Sequence, residues 1–302
     1  MVALGAVEDV RAWLQPLRAL PLRRMTLSAT LAADVAMQDP LCSVVRGLAA
    51  ASVRAQRCLT GAPRCDGCAE TARCDYAALI GAREADGDAA RPWWLDGVPG
   101  AATAAKGARW RVSLTTVDRG APRTSSLAAG VASALERVGL SGAARHVVAE
   151  GLAGPYVWPD GDAAALRVAS VSPWLVRLEG DDGMARSEAR CPDAPWLALL
   201  AGSIVRRCDA LARAYGDGSM GPLRLPDLRG VRCVEGGWAP WRGSRFSHAQ
   251  QRRMPLEGFA GDAVLAGDGV AAVGPLLRAG AALGAGRLRA LGFGSLAVSA
   301  VG

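Results

Sequence analysis

Lysine is almost missing from this 302-residue chain: Lys106 is the only one, and every other basic residue counted among the 35 is arginine. Histidine is nearly as scarce, with His146 and His248 alone, and aromatic residues make up 5%. No uncharged apolar stretch reaches the roughly 18 residues that a membrane-crossing helix needs, so no transmembrane span is expected. The N-terminal segment MVALGAVEDVRAWLQPLRALPLRR is interrupted by Glu8, Asp9, Arg11 and Arg18, and it lacks the apolar core and cleavage site of a signal peptide. A cytoplasmic location without membrane partners follows as the expectation. Thiols stay reduced there, so the eight cysteines read as buried thiols or metal ligands before disulfides. General disorder is excluded by 51% hydrophobic against 21% charged residues, and collagen by glycines that keep no triplet period.

What is present is arginine. The formal charge is +7 and the pI about 9.3. Arginine stays charged at any working pH and grips phosphate through a planar fork. A GC-rich genome would enrich arginine as well, so the balance permits a nucleic-acid partner without proving one.

Alternating apolar and polar residues predict a strand over 23–35, and helical spacing of Leu41, Val44, Val45, Leu48 and Ala49 predicts a helix from Pro40 to Arg57. A cysteine-rich connection and the segment RPWWLDGVPG follow. Then come a strand at Arg109–Val117, a helix from Ser125 to Val138 closed by Gly139, and a strand at His146–Leu152. The second half repeats the order. Strand-like Ala165–Glu179 breaks at Pro173, and a strong helix spans Ala194–Tyr215. Strands follow near Val231–Ser247 and Leu256–Leu265, then a helix at Val273–Ala281 and a last strand at Gly292–Ser299. The expected fold class is α+β: two tandem ferredoxin-like βαββαβ domains, 1–160 and 161–302, the first carrying a cysteine-rich insertion at 58–74. Their boundary is expected in the Pro/Gly/Asp-rich piece Pro155–Ala163.

Three constellations carry chemistry. Cys58, Cys65, Cys68 and Cys74 stand close enough in sequence to close a tetrahedral site, with Thr60, Gly61, Pro63, Asp66 and Gly67 as turn formers between them. A structural zinc ion is the favoured occupant. An iron–sulfur cluster, or four unrelated loop thiols, are the alternatives. The other cysteines, Cys42, Cys191, Cys208 and Cys233, read as packing residues. The second constellation is the loop Gly284-Ala-Gly286-Arg287-Leu-Arg289-Ala-Leu-Gly292-Phe-Gly294, where glycines allow close approach to a phosphate and Arg287 and Arg289 add charge. A plain helix-to-strand connector has a similar composition. The third is Trp241 to Pro255, with Arg242, Arg245, Arg252 and Arg253 for phosphates, Trp241 or Phe246 to stack a base, and His248. A solvated basic hairpin is the bland alternative.

Taken together, RGSRFSHAQQRRMPLEGFAGDAVLAG, a short apolar helix and LGAGRLRALGFGSLAV resemble the C-terminal signature of the CRISPR repeat-RNA endoribonucleases of the RAMP superfamily. WLALLAGSIVRRCDALARAYG, with Arg206 and Arg207, is similar to that family's arginine-bearing helix. PLCSVVRGLAAASVRAQRC followed by CDGCAETARCDYAALIGA resembles a cysteine-containing branch. The resemblance implies two ferredoxin-like folds that bind the repeat of a precursor guide RNA. It implies cleavage without a catalytic metal by attack of a 2′-hydroxyl, leaving a 2′,3′-cyclic phosphate and a 5′-hydroxyl. Retention of the product among other CRISPR effector subunits is implied too. Such chemistry requires a base, a cation for the phosphorane and a proton donor. Many members place a histidine near the first helix, and Pro40–Arg57 contains none. His248 is therefore the catalytic candidate. His146 reads as an ordinary strand residue, with Tyr76, Ser43 and Arg46 as substitutes. A catalytically silent RNA-binding subunit remains the alternative, and a metal-bound α/β protein without RNA function a third.

Overall fold

The computed structural model describes residues 9–36, 41–62, 65–81, 91–97, 103–117, 121–137, 144–150, 158, 161–176, 191, 193–222, 225, 228–247 and 251–301. The first half runs α1 (Val10–Arg18), β1 (Leu22–Leu31), β2 (Val35–Ala36), α2 (Leu41–Arg57), a helical turn (Ala77–Gly81), β3 (Trp93–Asp96), β4 (Thr103–Ala104), β5 (Arg109–Val117), α3 (Ala121–Arg137) and β6 (Ala144–Glu150). The second runs β7 (Ala165–Ser170), β8 (Trp174–Leu175), α4 (Pro195–Tyr215), β9 (Arg232–Ser247), β10 (Arg252–Ala266), α5 (Val270–Leu283), a tight turn (Arg289–Leu291) and β11 (Leu296–Ala300). The architecture is mixed α and β with antiparallel sheets. One sheet has the order β3-β5-β1-β6. The other has the order β11-β7-β10-β8, with β9 also paired to β10.

Side-chain periodicity accounts for the main elements. Along β5, Trp110, Val112 and Leu114 are buried and alternate with more exposed Arg109, Arg111 and Ser113. Along α2, Leu41, Val45, Ala49 and Val53 fall at helical spacing and are buried. They meet α3 closely at Gly130, where an added Cβ would sit 2.9 Å from Val53 Cγ2 and 3.2 Å from the Ala49 carbonyl oxygen. In α4, Leu197, Leu200, Ala201, Ile204, Cys208 and Leu211 form the buried stripe.

Several boundaries differ from the sequence expectation. The strand at 23–35 ends at Leu31, with Val35–Ala36 forming a separate short pair with β4. The last strand starts at Leu296, because Arg289–Leu291 turns tightly first. Within RPWWLDGVPG, the segment the βαββαβ order takes as its second strand, WWLD forms β3, an edge strand with all four residues buried. Most of the boundary piece Pro155–Ala163 lies outside the described residues. α1 was not expected. Its Asp9 cap accepts a hydrogen bond from the Arg11 backbone N–H at 2.8 Å. Its Val10, Trp13, Leu14 and Leu17 are buried in the core built by α4, α5 and β7, and Trp13 Nε1 donates to the Gly221 carbonyl at 3.2 Å.

Two arginines from the second half fasten onto β3. The Arg289 Nη2 donates to Asp96 Oδ1 at 2.5 Å, with side-chain exposures of 1% and 7%. The Arg207 guanidinium, equally buried, stands 4.9 Å from the Trp94 ring centroid. Removing one partner of a buried pair leaves the other charge stranded. Asp96→Ala is therefore expected to lower unfolding stability by about 3–5 kcal/mol, read as a shift of the urea midpoint.

Candidate nucleic-acid interface

The β9–β10 hairpin, β8 and the glycine loop bound a cleft of about 580 Å³. Leu175, Pro240, Trp241, Met254, Leu256 and Phe259 supply its apolar lining, and Arg242, Arg245 and Arg287 its charge. The register pairs Arg245 with Met254, Gly243 with Leu256 and Trp241 with Gly258, so strand alternation brings these residues to one face. Gly243 is required there: a Cβ would come within 2.3 Å of the Trp241 ring, which lies across it. Trp241 also meets Phe293, ring centroids 6.2 Å apart, and Phe293 joins Leu175, Leu256 and Leu291 in a small apolar floor.

The arginines differ in what holds them. Arg245 Nε is buried with no hydrogen-bond partner among the described residues. Such a donor is costly unless an acceptor arrives. Arg287 is exposed, while its backbone N–H donates to the Leu175 carbonyl at 3.0 Å and pins the loop to the cleft edge. Arg242 Nε stands 3.8 Å from Glu257 Oε1, beyond hydrogen-bond reach, and both side chains are largely exposed. An apolar floor with a cationic rim suits a ligand that has planar faces and anionic links, which is the chemistry of a nucleotide strand.

Other expected site residues are placed elsewhere. Arg252 and Arg253 are exposed on β10, and Arg253, paired with Phe246, donates to Ser244 Oγ at 3.1 Å on the hairpin face opposite Arg245. Arg206 is exposed on α4, but neighbouring Arg207 is interior, because adjacent helix positions point about 100° apart. Arg289 is interior as well. It donates to the Leu283 and Phe293 carbonyls and to Ser295 Oγ, which in turn donates to Asp96 Oδ1 at 2.5 Å. Arg207 and Arg289 thus bind protein groups, correcting the expectation that they face RNA.

The expected open phosphate cradle is corrected in the same way, since Gly284, Gly292 and Gly294 are buried. Their positive φ values (76°, 80° and 71°) and close neighbours show what they serve. A Cβ at Gly284 would strike the Arg289 guanidinium, at Gly292 the Cys42 side chain, and at Gly294 the Ala285 carbonyl. Of the loop, Arg287 and Leu288 line the cleft, while the half-buried Gly286 donates its N–H to Ser203 Oγ at 2.8 Å.

His248 lies outside the described residues, in the segment 248–250 between β9 and Gln251. His146 sits on β6 where the register with β1 shifts. Ser43 and Arg46 are half-buried on α2, whose start meets the glycine loop through Cys42 and Gly292. Tyr76 is partly buried, and burial pushes its hydroxyl above the usual range. The Arg54 guanidinium stands 5.8 Å from its ring centroid. Cys58, Cys65, Cys68 and Cys74 line a separate cavity of about 10 Å³. Among the described residues no three ligand-type side chains close into a metal cluster. Hydrogen bonding from the Thr60 backbone lowers the Cys58 thiol, whereas burial, then the charges of Cys74, Cys58 and Cys68, raises Cys65. Cys42, Cys191 and Cys208 are buried, with Cys208 pushed up to about 12 by burial. Cys233 is only partly covered.

Residues 168–296 match the family model of the CRISPR-associated endoribonuclease Cas6. Over that stretch the chain is similar to the Cas6 family. The Cas6 match begins in β7, ends at the first residue of β11 and contains every residue that lines the cleft. No curated protein matches the chain. Among solved structures, a Cas6 product complex overlaps with TM-score 0.49 at 19% identity, covering 92% of this chain and 100% of that one. A RAMP protein binding different RNA substrates overlaps with TM-score 0.49 at 11% identity, over 92% and 99%. A Cas6-related protein from Pyrococcus furiosus overlaps with TM-score 0.47 at 13% identity, over 91% and 98%. Among the described residues no helix is long and apolar enough to cross a membrane.

Substitution should separate scaffold from surface. Gly292→Ala, which meets both a positive φ and Cys42, is expected to cost about 3 kcal/mol in urea unfolding, whereas Arg287→Ala should stay within about 0.5 kcal/mol of the parent.

Proposed function

We propose that the protein binds the repeat of precursor CRISPR RNA in the cleft between the β9–β10 hairpin and the glycine loop, and cuts it there. One observation carries this reading: the Cas6-matching stretch holds the whole cleft, and the cleft presents a buried, partnerless Arg245 Nε beside exposed Arg287 over an apolar floor. Bases stack against Trp241 while Arg245 and Arg287 take the phosphates. The strand orders support reading each half as a ferredoxin-like unit, 1–160 and 161–302, with α1 reaching across to the second.

In the proposed reaction the 2′-oxygen attacks the adjacent phosphorus and the bond to the 5′-oxygen breaks. The 2′-hydroxyl proton passes to a base, and a proton donor neutralises the leaving oxygen. The products are a 2′,3′-cyclic phosphate and a 5′-hydroxyl, and no metal takes part. Histidine suits the proton steps near neutrality, which assigns them to His248. Arginine, always protonated, stabilises the phosphorane. The cut repeat stays bound and passes to other CRISPR effector subunits.

The makeup of the cleft favours a second reading, a silent RAMP subunit that holds guide RNA. Among the described residues lining it, Glu257 is the one titratable group that is not arginine. Incubation with repeat RNA in EDTA separates the two. Cleavage with a cyclic-phosphate end, slowed about 100-fold or more in His248→Ala with binding kept, is the expected result. Binding without a cut supports the silent subunit, and a cut abolished by EDTA overturns the metal-free mechanism. Arg245→Ala should weaken RNA binding and reduce the salt slope by about 1.

A further inference from the structure

The cysteine cavity has no part in the proposed reaction, and four free thiols line it. Cys58, Cys65, Cys68 and Cys74 all line it, together with Thr60, Ala62, Thr71 and Ala77. Its volume of about 10 Å³ is close to one water-sized sphere, room for a single ion. Both ends of the cysteine run are tied to the end of α2. The Cys58 N–H donates to the Arg54 carbonyl at 3.0 Å, and Cys74 Sγ donates to the Arg57 carbonyl at 3.6 Å.

Between them, Cys65 and Cys68 form a knuckle. The Cys68 N–H donates to the Cys65 carbonyl at 3.0 Å, and Gly67 holds φ +78°, a conformation that favours glycine. The Thr71 hydroxyl lies 2.8 Å from both the Cys65 and the Cys68 carbonyl oxygens and locks the turn. The Thr60 hydroxyl lies 3.5 Å from Cys68 Sγ, at the rim of the same cavity.

We propose that Cys58, Cys65, Cys68 and Cys74 bind one zinc ion that clasps the C-terminal end of α2 to the helical turn at Ala77–Gly81. The four cysteines line one cavity without standing at ligand distances, and binding the ion would draw their sulfurs inward. Four thiolates fill a tetrahedral shell and leave no open position, so the ion is structural. A soft tetrahedral thiolate set suits zinc or iron, and zinc is the ion assigned here. The other end of α2 sets Cys42 against Gly292 of the glycine loop. The clasp therefore steadies one side of the candidate RNA site from a distance, whatever that site does.

Elemental analysis of the full-length protein, purified without chelator, is expected to give about one zinc per chain, falling to about one-tenth or less in the double variant Cys65→Ser/Cys68→Ser. Cys191→Ser and Cys233→Ser should keep the metal. Should the double variant fail to fold, wild-type protein loaded with Co²⁺ alone still decides: an intense thiolate-to-cobalt absorption with tetrahedral d–d bands supports the site. Metal-free wild type whose four loop thiols react freely with a thiol reagent overturns it. So do stoichiometric iron in place of zinc, a disulfide among these cysteines, or a zinc content unchanged in the double variant.

Discussion

One buried ion pair organises the molecule. Arg289 lies 193 positions along the chain from Asp96, yet the two meet at 2.5 Å with almost no exposure. An arginine taken out of water demands acceptors for its rigid fork of donors, and this one finds two carbonyls, a hydroxyl and a carboxylate. Meeting that demand dictates the course of the glycine loop. The loop wraps the guanidinium so closely that Gly284 has no room for a side chain, and it sets Ser295 where its hydroxyl bridges to the same carboxylate.

The loop consequently acts as a junction rather than an open anion cradle. β3 enters through Asp96, α2 through Cys42, α4 through Ser203 and β8 through the Leu175 carbonyl. What this junction leaves to the cleft is small, Arg287 and Leu288, and that remnant forms one wall of it. The charge available to a ligand comes from the hairpin and from this single loop arginine. Close glycine spacing thus reports interior crowding as readily as phosphate contact, and burial decides between them.

Much of the fold was legible in the chain. β5 matches its expected limits because residues alternate from Arg109 to Leu114, and α2 and α4 show unbroken helical stripes. β3 was legible only from its place in the βαββαβ order: its four buried residues show no alternation, and turn-forming residues flank them. α1 was read only as an interrupted apolar segment, since its apolar face is covered by a core belonging to the other half of the sequence. At the candidate site, composition and order singled out Arg242, Arg245 and Trp241, which line the cleft, together with Arg252 and Arg253, which do not. Neighbouring arginines in one motif could not be sorted by composition alone: Arg287 is at the surface and Arg289 inside, because Asp96 is distant in sequence and unmarked by any motif.

The position of α1 has a consequence for how the chain can be divided. Val10, Trp13, Leu14 and Leu17 occupy a trough between the helices of the second half, and Arg11 pairs with Asp162 at its margin. A fragment beginning at the apparent midpoint would carry that trough bare, an adhesive apolar surface prone to self-association. Splitting the polypeptide into autonomous halves therefore means grafting the opening helix onto the later piece, an arrangement closer to a domain exchange than to beads on a string.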